Sequence, residues 1–300
     1  MTNDNPSPTR FAPPIGGLRK IDGHDVFVHR AGSGGPAVVF LPGASAVGLD
    51  YFGVQQLVSR FTTAVVYDRG GTGYSDPRPL TRTAAQVAKE LRQLLRAENI
   101  PGPYVLAAHS VGAFYAHRFA QLYPRDVAGL VWLDGLNRDW DQFMPPAASL
   151  AAMERMTPGP EQLGELRTAL GEMNAELLAV YPADLREPLL AAKASDDWIR
   201  VGLTERTMLA GLAAELRAGP GLPDVPLIAL SVVGVDPQLP EQLSRQMNDA
   251  RGRMDAALVA TVARGEQRIL SDTFHHRLCF DRPDAVAQAI RDVIARAAHP

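Results

Sequence analysis

The sequence predicts an α/β fold, a mostly parallel central sheet with helices on both faces. Three observations carry this. Short continuous apolar runs, of the kind that form strands buried on both faces, recur through the chain and alternate with helical patterns. The connections between them are short, and several runs end in Pro-Gly, Asp or Gly-rich turns. The alternation then breaks once, over residues 135–222, where helical patterns rich in Ala, Leu, Met and Glu stand without a convincing strand. The expected organisation is a flexible lead-in over 1–16, an α/β core over 17–134 and 223–300, and a helical lid over 135–222.

Each element has its own signal. Residues 18–30 hold two extended runs around Asp22-Gly23, a hairpin signature. Ala37–Leu41 is an apolar run that stops at Pro42-Gly43, and Thr63–Tyr67 is another that stops at Asp68. Thr83 with Gln86 fits a capping box. The helix that follows carries Ala84, Val87, Leu91, Leu94 and Leu95 on one face and ends by Pro101. Tyr104–Ala107 is a strand, and a helix from Val111 runs to a stop at Pro124. Ala128–Leu133 ends at Asp134. After the insertion the sheet resumes at Val225–Leu230, and Gln267–Leu270 is the last strand. Pro283 suits the first turn of a closing helix with Val286, Ile290, Val293 and Ile294 on its apolar face.

Composition narrows the function. The chain has 300 residues, 46% of them hydrophobic, enough for a substantial core. A net charge of −3 gives no support for nucleic-acid or anionic-membrane binding. No stretch approaches a membrane span, and Met1–Pro14 lacks the apolar run of a signal peptide. A cytoplasmic protein, monomer or homodimer, acting on a small molecule is the expectation. The one cysteine, Cys279, excludes a disulfide within the chain and reads as a packed apolar residue. The histidines show no metal-ligand spacing, so no metal and no cofactor are expected. Asp68-Arg69-Gly70-Gly71-Thr72-Gly73 lacks the Lys-Ser/Thr of a phosphate loop and reads as a structural turn.

The chemistry centres on Ala108-His109-Ser110-Val111-Gly112, which lies between the strand and the helix on either side. A serine on so sharp a turn, flanked by small residues at −2 and +2, is a nucleophile elbow. Its hydroxyl needs a base, and histidine titrates near neutrality. A carboxylate must hold the imidazole, and backbone N–H groups must receive the oxyanion. Asp134 directly ends a strand and follows Ser110 by 24 residues, one helix and one strand later. Asp236, in Val233-Gly234-Val235-Asp236-Pro237, is the alternative acid. Asp134 is preferred.

These motifs resemble those of the α/β-hydrolase fold, in its lid-bearing form. The carrying segments are Leu41-Pro42-Gly43-Ala44, Tyr67-Asp68-Arg69-Gly70-Gly71-Thr72-Gly73-Tyr74-Ser75, Ala108–Gly112, and His276 through Asp281-Arg282-Pro283. The resemblance implies Ser110 as nucleophile and His276, seven residues before Pro283, as base, with His275 as a pocket neighbour. It implies an oxyanion hole from the N–H groups of Val111 and Ala44. Pro42 stands where the family usually has histidine. Relatives place the acid at either of the two aspartate positions. Gly43, His275, Trp140, Phe143, Met144 and Trp198 are candidate substrate contacts, with Met153 and Met156 also in the lid. The implied activity is cofactor-free cleavage of an ester, lactone or thioester of a small, largely apolar substrate through an acyl-enzyme. The same triad could serve carbon–carbon bond hydrolysis, acyl transfer or cyclisation. A non-catalytic ligand receptor is the alternative of another class.

Overall fold

The computed structural model describes residues 11–79, 81–159, 162–237 and 239–299. Eight strands form one sheet: β1 Gly17–Ile21, β2 His24–Ala31, β3 Val38–Leu41, β4 Ala64–Tyr67, β5 Tyr104–His109, β6 Val127–Leu133, β7 Leu227–Val232 and β8 Gly265–Leu270. Their order across the sheet is β1-β2-β4-β3-β5-β6-β7-β8. β1 and β2 pair antiparallel, as do β2 and β4, and all other pairs are parallel.

Residues alternate across the sheet with period two. Val39, Leu41, Leu106, Ala108, Leu130 and Trp132 face one layer. That layer contains the helices α2 (Ala84–Ala97) and α3 (Gly112–Leu122). Val38, Phe40, Val105, Ala107, Val131 and Leu133 face the other, with α1 (Phe52–Val58) and α12 (Pro283–Ala298). Both faces are covered, which is why the strands read as unbroken apolar runs. The capping box at α2 is formed. Thr83 Oγ1 accepts from the Gln86 N–H at 3.2 Å, and Gln86 Oε1 accepts from the Thr83 N–H at 2.9 Å.

Between β6 and β7 stand six helices and no strand among the described residues: α4 Trp140–Phe143, α5 Leu150–Arg155, α6 Leu163–Leu177, α7 Ala183–Lys193, α8 Asp196–Arg206 and α9 Leu209–Arg217. A short α11, Leu278–Asp281, precedes α12. Of the lead-in expected to be flexible, residues 1–10 lie outside the described residues. Ile15 packs against the core, and the Phe11 ring meets Trp198 edge-on at 6.3 Å.

One long helix has no counterpart in the sequence reading: α10, Glu241–Val259, between β7 and β8. Its buried residues include Ser244, Met247, Asn248, Met254, Asp255 and Leu258. The spacing is helical, but three of the seven buried residues are polar, so hydrophobic periodicity does not reveal it.

The sheet order reverses beside β3. The chain leaves β3 for β4 on one side and then crosses to β5 on the other. The loops after β3 and β5 therefore diverge and leave a crevice at the carboxyl ends of the strands. No helix among the described residues is long and apolar enough to cross a membrane.

Candidate active site

Ser110 occupies that crevice. Its φ is +52°, in the left-handed region that a non-glycine residue rarely adopts. Strand β5 must turn straight into α3, and the strained backbone at Ser110 makes that turn. The approach explains Gly112. A Cβ there would lie 2.1 Å from the Leu41 carbonyl oxygen, on the neighbouring strand.

Asp134 stands at the end of β6, next to β5, also with positive φ (+47°). It is buried. Its Oδ2 accepts His275 Nδ1–H at 2.6 Å and lies 3.0 Å from Arg251 Nη1, while Oδ1 takes the Val232 N–H at 3.4 Å. Burial alone would raise the Asp134 carboxyl. Arg251 and the bond from His275 outweigh it and hold the pKa at about 2. Asp134 is thus a carboxylate at any working pH.

The histidine bonded to Asp134 is His275, not His276 as the motif spacing implied. Both lie in one tight turn, His275–Arg277, where neighbouring side chains diverge by about a third of a revolution. Only one can meet the end of β6. The backbone decides which, because His109 Nε2 lies 3.1 Å from the His275 carbonyl oxygen. His276 makes no bond to Asp134, and its ring stands 4.9 Å from that of His275, near perpendicular. On its other side His275 lies 4.8 Å from the His109 ring, tilted by 30°. Burial lowers the His275 pKa to about 4 despite the pull of Asp134, so the imidazole is neutral and basic at pH 7.

His109 closes a chain of hydrogen bonds. The Gly43 N–H donates to Tyr51 Oη at 3.2 Å, and Tyr51 Oη lies 2.9 Å from His109 Nδ1. Burial raises the Tyr51 pKa and lowers that of His109 to about 4, so the phenol stays protonated and the imidazole neutral. The consistent assignment is Tyr51 O–H donating to Nδ1, and Nε2–H donating to the His275 carbonyl. The loop after β3 is tied in this way to the turn that carries His275.

That loop is held from its other side by Arg69. Its Nη1 donates to the Pro42 carbonyl at 2.6 Å and its Nη2 to the Gly43 carbonyl at 3.1 Å. In a trans peptide the C=O and N–H point opposite ways. Turning the Gly43 carbonyl to Arg69 turns the Ala44 N–H away from it. Neither the Ala44 N–H nor the Val111 N–H donates within the protein among the described residues. Arg69 is buried against Glu205 of α8, at 2.5 Å through Nη2 and 3.1 Å through Nε, and Glu205 also accepts the Ser45 N–H at 3.2 Å. A second buried pair, Lys193 of α7 with Asp50 at 2.9 Å, fastens the insert to the same loop region.

A cavity of about 620 Å³ opens over Ser110. Gly43, Ala44, Val111, His275 and His276 line it, as do Met153 and Met156 of the insert. Asp236 lines it too, but is not bonded to His275; its N–H donates to Ser244 Oγ at 2.9 Å. Four expected contacts lie elsewhere. Trp140 is fully buried, bonded through Nε1 to the Ala148 carbonyl at 2.8 Å, with the Arg251 guanidinium over its ring. Phe143 and Met144 pack into the core, and Trp198 packs edge-on against Tyr74. Cys279 is buried and burial pushes its thiol up, as for an inert packed residue, although it touches the cavity. The Asp68 turn is structural: its carboxylate accepts the N–H groups of Gly48 at 2.6 Å and Tyr74 at 2.8 Å. No cluster of metal-ligating side chains exists among the described residues.

Comparison with known proteins follows the same lines. The chain is 34% identical over 115 residues to the uncharacterized protein YqjL of Bacillus subtilis, covering 38% of this chain and 46% of that one. It is 31% identical over 163 residues to RutD of Escherichia coli, named as a candidate carbamate hydrolase, covering 53% of this chain and 56% of that one. The chain thus spans about half the length of these relatives. Among solved structures it resembles Cfl2 of Burkholderia cenocepacia (TM-score 0.70, 23% identity, 95% of this chain and 98% of that one). It also resembles an esterase of Thermogutta terrifontis (TM-score 0.61, 18% identity, 94% and 97%). Those two likenesses are of fold. The model of the alpha/beta hydrolase family matches residues 38–289, and the chain belongs to that family.

Proposed function

We propose that the chain is a serine hydrolase in which Ser110, His275 and Asp134 form the triad. The observation that carries this is the 2.6 Å bond from His275 Nδ1 to Asp134, in a turn that lines the same cavity as the strained Ser110 elbow. Asp134 fixes the tautomer, with the proton on Nδ1, and leaves Nε2 as base.

In the reaction, Ser110 Oγ attacks the carbonyl carbon while its proton passes to His275 Nε2. The oxyanion forms against the N–H groups of Ala44 and Val111. Its collapse breaks the carbonyl–oxygen or carbonyl–sulfur bond, and the leaving alcohol or thiol takes the proton from His275. Water then attacks the acyl-serine and loses its proton to Nε2. Collapse of the second intermediate returns that proton to Ser110 and releases the acid. The mostly apolar cavity wall favours an ester, lactone or thioester with a substantial apolar part.

Treatment with a fluorophosphonate, followed by peptide mapping, tests the nucleophile. Labelling at Ser110 together with turnover of p-nitrophenyl butyrate is expected. Absence of both, in a protein that melts cooperatively, would overturn the reading and leave the cavity as a binding site.

A further inference from the structure

Among the described residues, one cation lining the cavity has no hydrogen-bonding or ion-pair partner for its side chain. Arg206, the last residue of α8, lines the cavity and is half-buried, yet makes no hydrogen bond and no ion pair among the described residues. Its neighbour Glu205 is the opposite charge that acts on it, but that carboxylate is engaged by Arg69 and by the Ser45 N–H. The other cations lining the cavity are matched. Lys193 pairs with Asp50 at 2.9 Å, and Arg251 pairs with Asp134 at 3.0 Å. Asp236 lines the same cavity and acts on His276 in the opposite sense to Arg206.

A guanidinium withdrawn from water without a partner is costly, and proteins seldom leave one so. Burial lowers the Arg206 pKa, with Glu205 opposing only in part. The apolar neighbours on the cavity wall, among them Leu166, Leu170 and Leu209, offer it nothing to bond. The guanidinium fork is shaped for a planar, two-oxygen anion. Arg206 lines the same cavity as Ser110, His275 and His276, so a group bound to it shares the cavity with the carbonyl under attack. A neutral substrate would cover this half-buried charge and leave it unpaired.

We infer that Arg206 is the anchor for a carboxylate on the substrate, so that the preferred ester, lactone or thioester is a half-ester type of molecule with a free carboxylate besides the scissile carbonyl. His276 stands beside the anchor as a neutral hydrogen-bonding neighbour. This rests on the serine-hydrolase reading above and narrows its substrate class.

Monomethyl glutarate and methyl pentanoate, matched in chain length, separate the two ideas. Hydrolysis followed by pH-stat should favour the half-ester by about tenfold or more in kcat/KM, the scale of one charge-assisted bond. Arg206→Gln should collapse that ratio, and Arg206→Lys should keep part of it. Glutarate binding to the Ser110→Ala protein, followed by calorimetry, needs no turnover and should be lost when Arg206→Gln is added. Equal rates on the two esters, or a ratio and a glutarate affinity untouched by Arg206→Gln, would overturn the anchor. Fluorophosphonate labelling with no change in the ratio would overturn the anchor alone. Glutarate binding that depends on Arg206, without labelling or turnover of any ester, would instead overturn the hydrolase reading.

Discussion

Arg251 Nη1 lies 3.0 Å from Asp134 Oδ2, the same oxygen that receives His275 Nδ1. The guanidinium holds the carboxylate ionised and at the same time competes with the imidazole for it. Arg251 and His109 both disfavour the imidazolium, in addition to the dominant effect of burial. In the free enzyme, activity should persist well into acid, with kcat/KM falling only as His275 protonates near pH 4. Removing Arg251 takes away a like charge and frees Asp134 to attract the imidazolium. Arg251→Met should therefore move the acid limb to higher pH, read from the pH profile of kcat/KM.

The two adjacent histidines should separate sharply. His275→Ala removes the group bonded to Asp134 and should lower kcat by about 10⁴-fold or more, as loss of a triad base does elsewhere. Asp134→Asn should cost about 10⁴-fold through the wrong tautomer. His276→Ala should act mainly on KM, because its ring meets the cavity and not Asp134. Steady-state kinetics on one ester decides among the three.

Glu205 joins the insert to the loop after β3 through Arg69. Glu205→Ala leaves a buried guanidinium without its carboxylate and should destabilise the protein by about 3–5 kcal/mol in urea unfolding. The double variant Arg69→Met/Glu205→Met removes both charges and should recover most of that stability. It should not recover kcat, because the Pro42 and Gly43 carbonyls lose the donors that fix their peptides.

Stability itself should decline on acidification. Burial depresses His109, His117 and His275 to about 4, 3 and 4, and His276 is depressed as well. The unfolded chain takes these protons below about pH 6.5 and the folded chain does not, so this contribution is full above that pH and is lost as pH falls toward 4. Asp68 and Asp255 act oppositely. Burial raises both to about 7, so the folded chain holds extra protons between about pH 4 and 7. Four imidazoles against two carboxyls leaves a net loss of stability on acidification, measurable as a falling Tm between pH 7 and pH 4.5.

The strands were readable because burial on both faces writes itself as apolar runs; β3, β4, β5, β6 and β7 each lie within two residues of the sequence reading. Ser110 was readable because the elbow demands small neighbours. The histidine that meets Asp134 was not, since His275 and His276 differ only in which one the turn aims at β6. α10 was hidden by its own chemistry: its buried stripe spends Ser244, Asn248 and Asp255 on polar contacts. Arg69 and Glu205 stand 136 residues apart, and no local pattern links them. Trp140 was read as a pocket residue because aromatic rings in an insert suit an apolar roof; here its ring instead supports Arg251.

Placing the proposed acid at the end of β6 sets its separation from Ser110 within a short stretch of chain. Ser110 and Asp134 come from neighbouring, directly paired strands, and only α3 and one short 3-10 turn separate them. Their spacing is fixed before the chain enters either the β6–β7 insert or the β7–β8 connection. Both long segments are thereby released from carrying the acid, and both wall the cavity. The layout divides the labour: paired strands set the spacing of Ser110 and Asp134, while the insert and the β7–β8 connection supply much of the cavity wall together with the tethers Glu205 and Arg251.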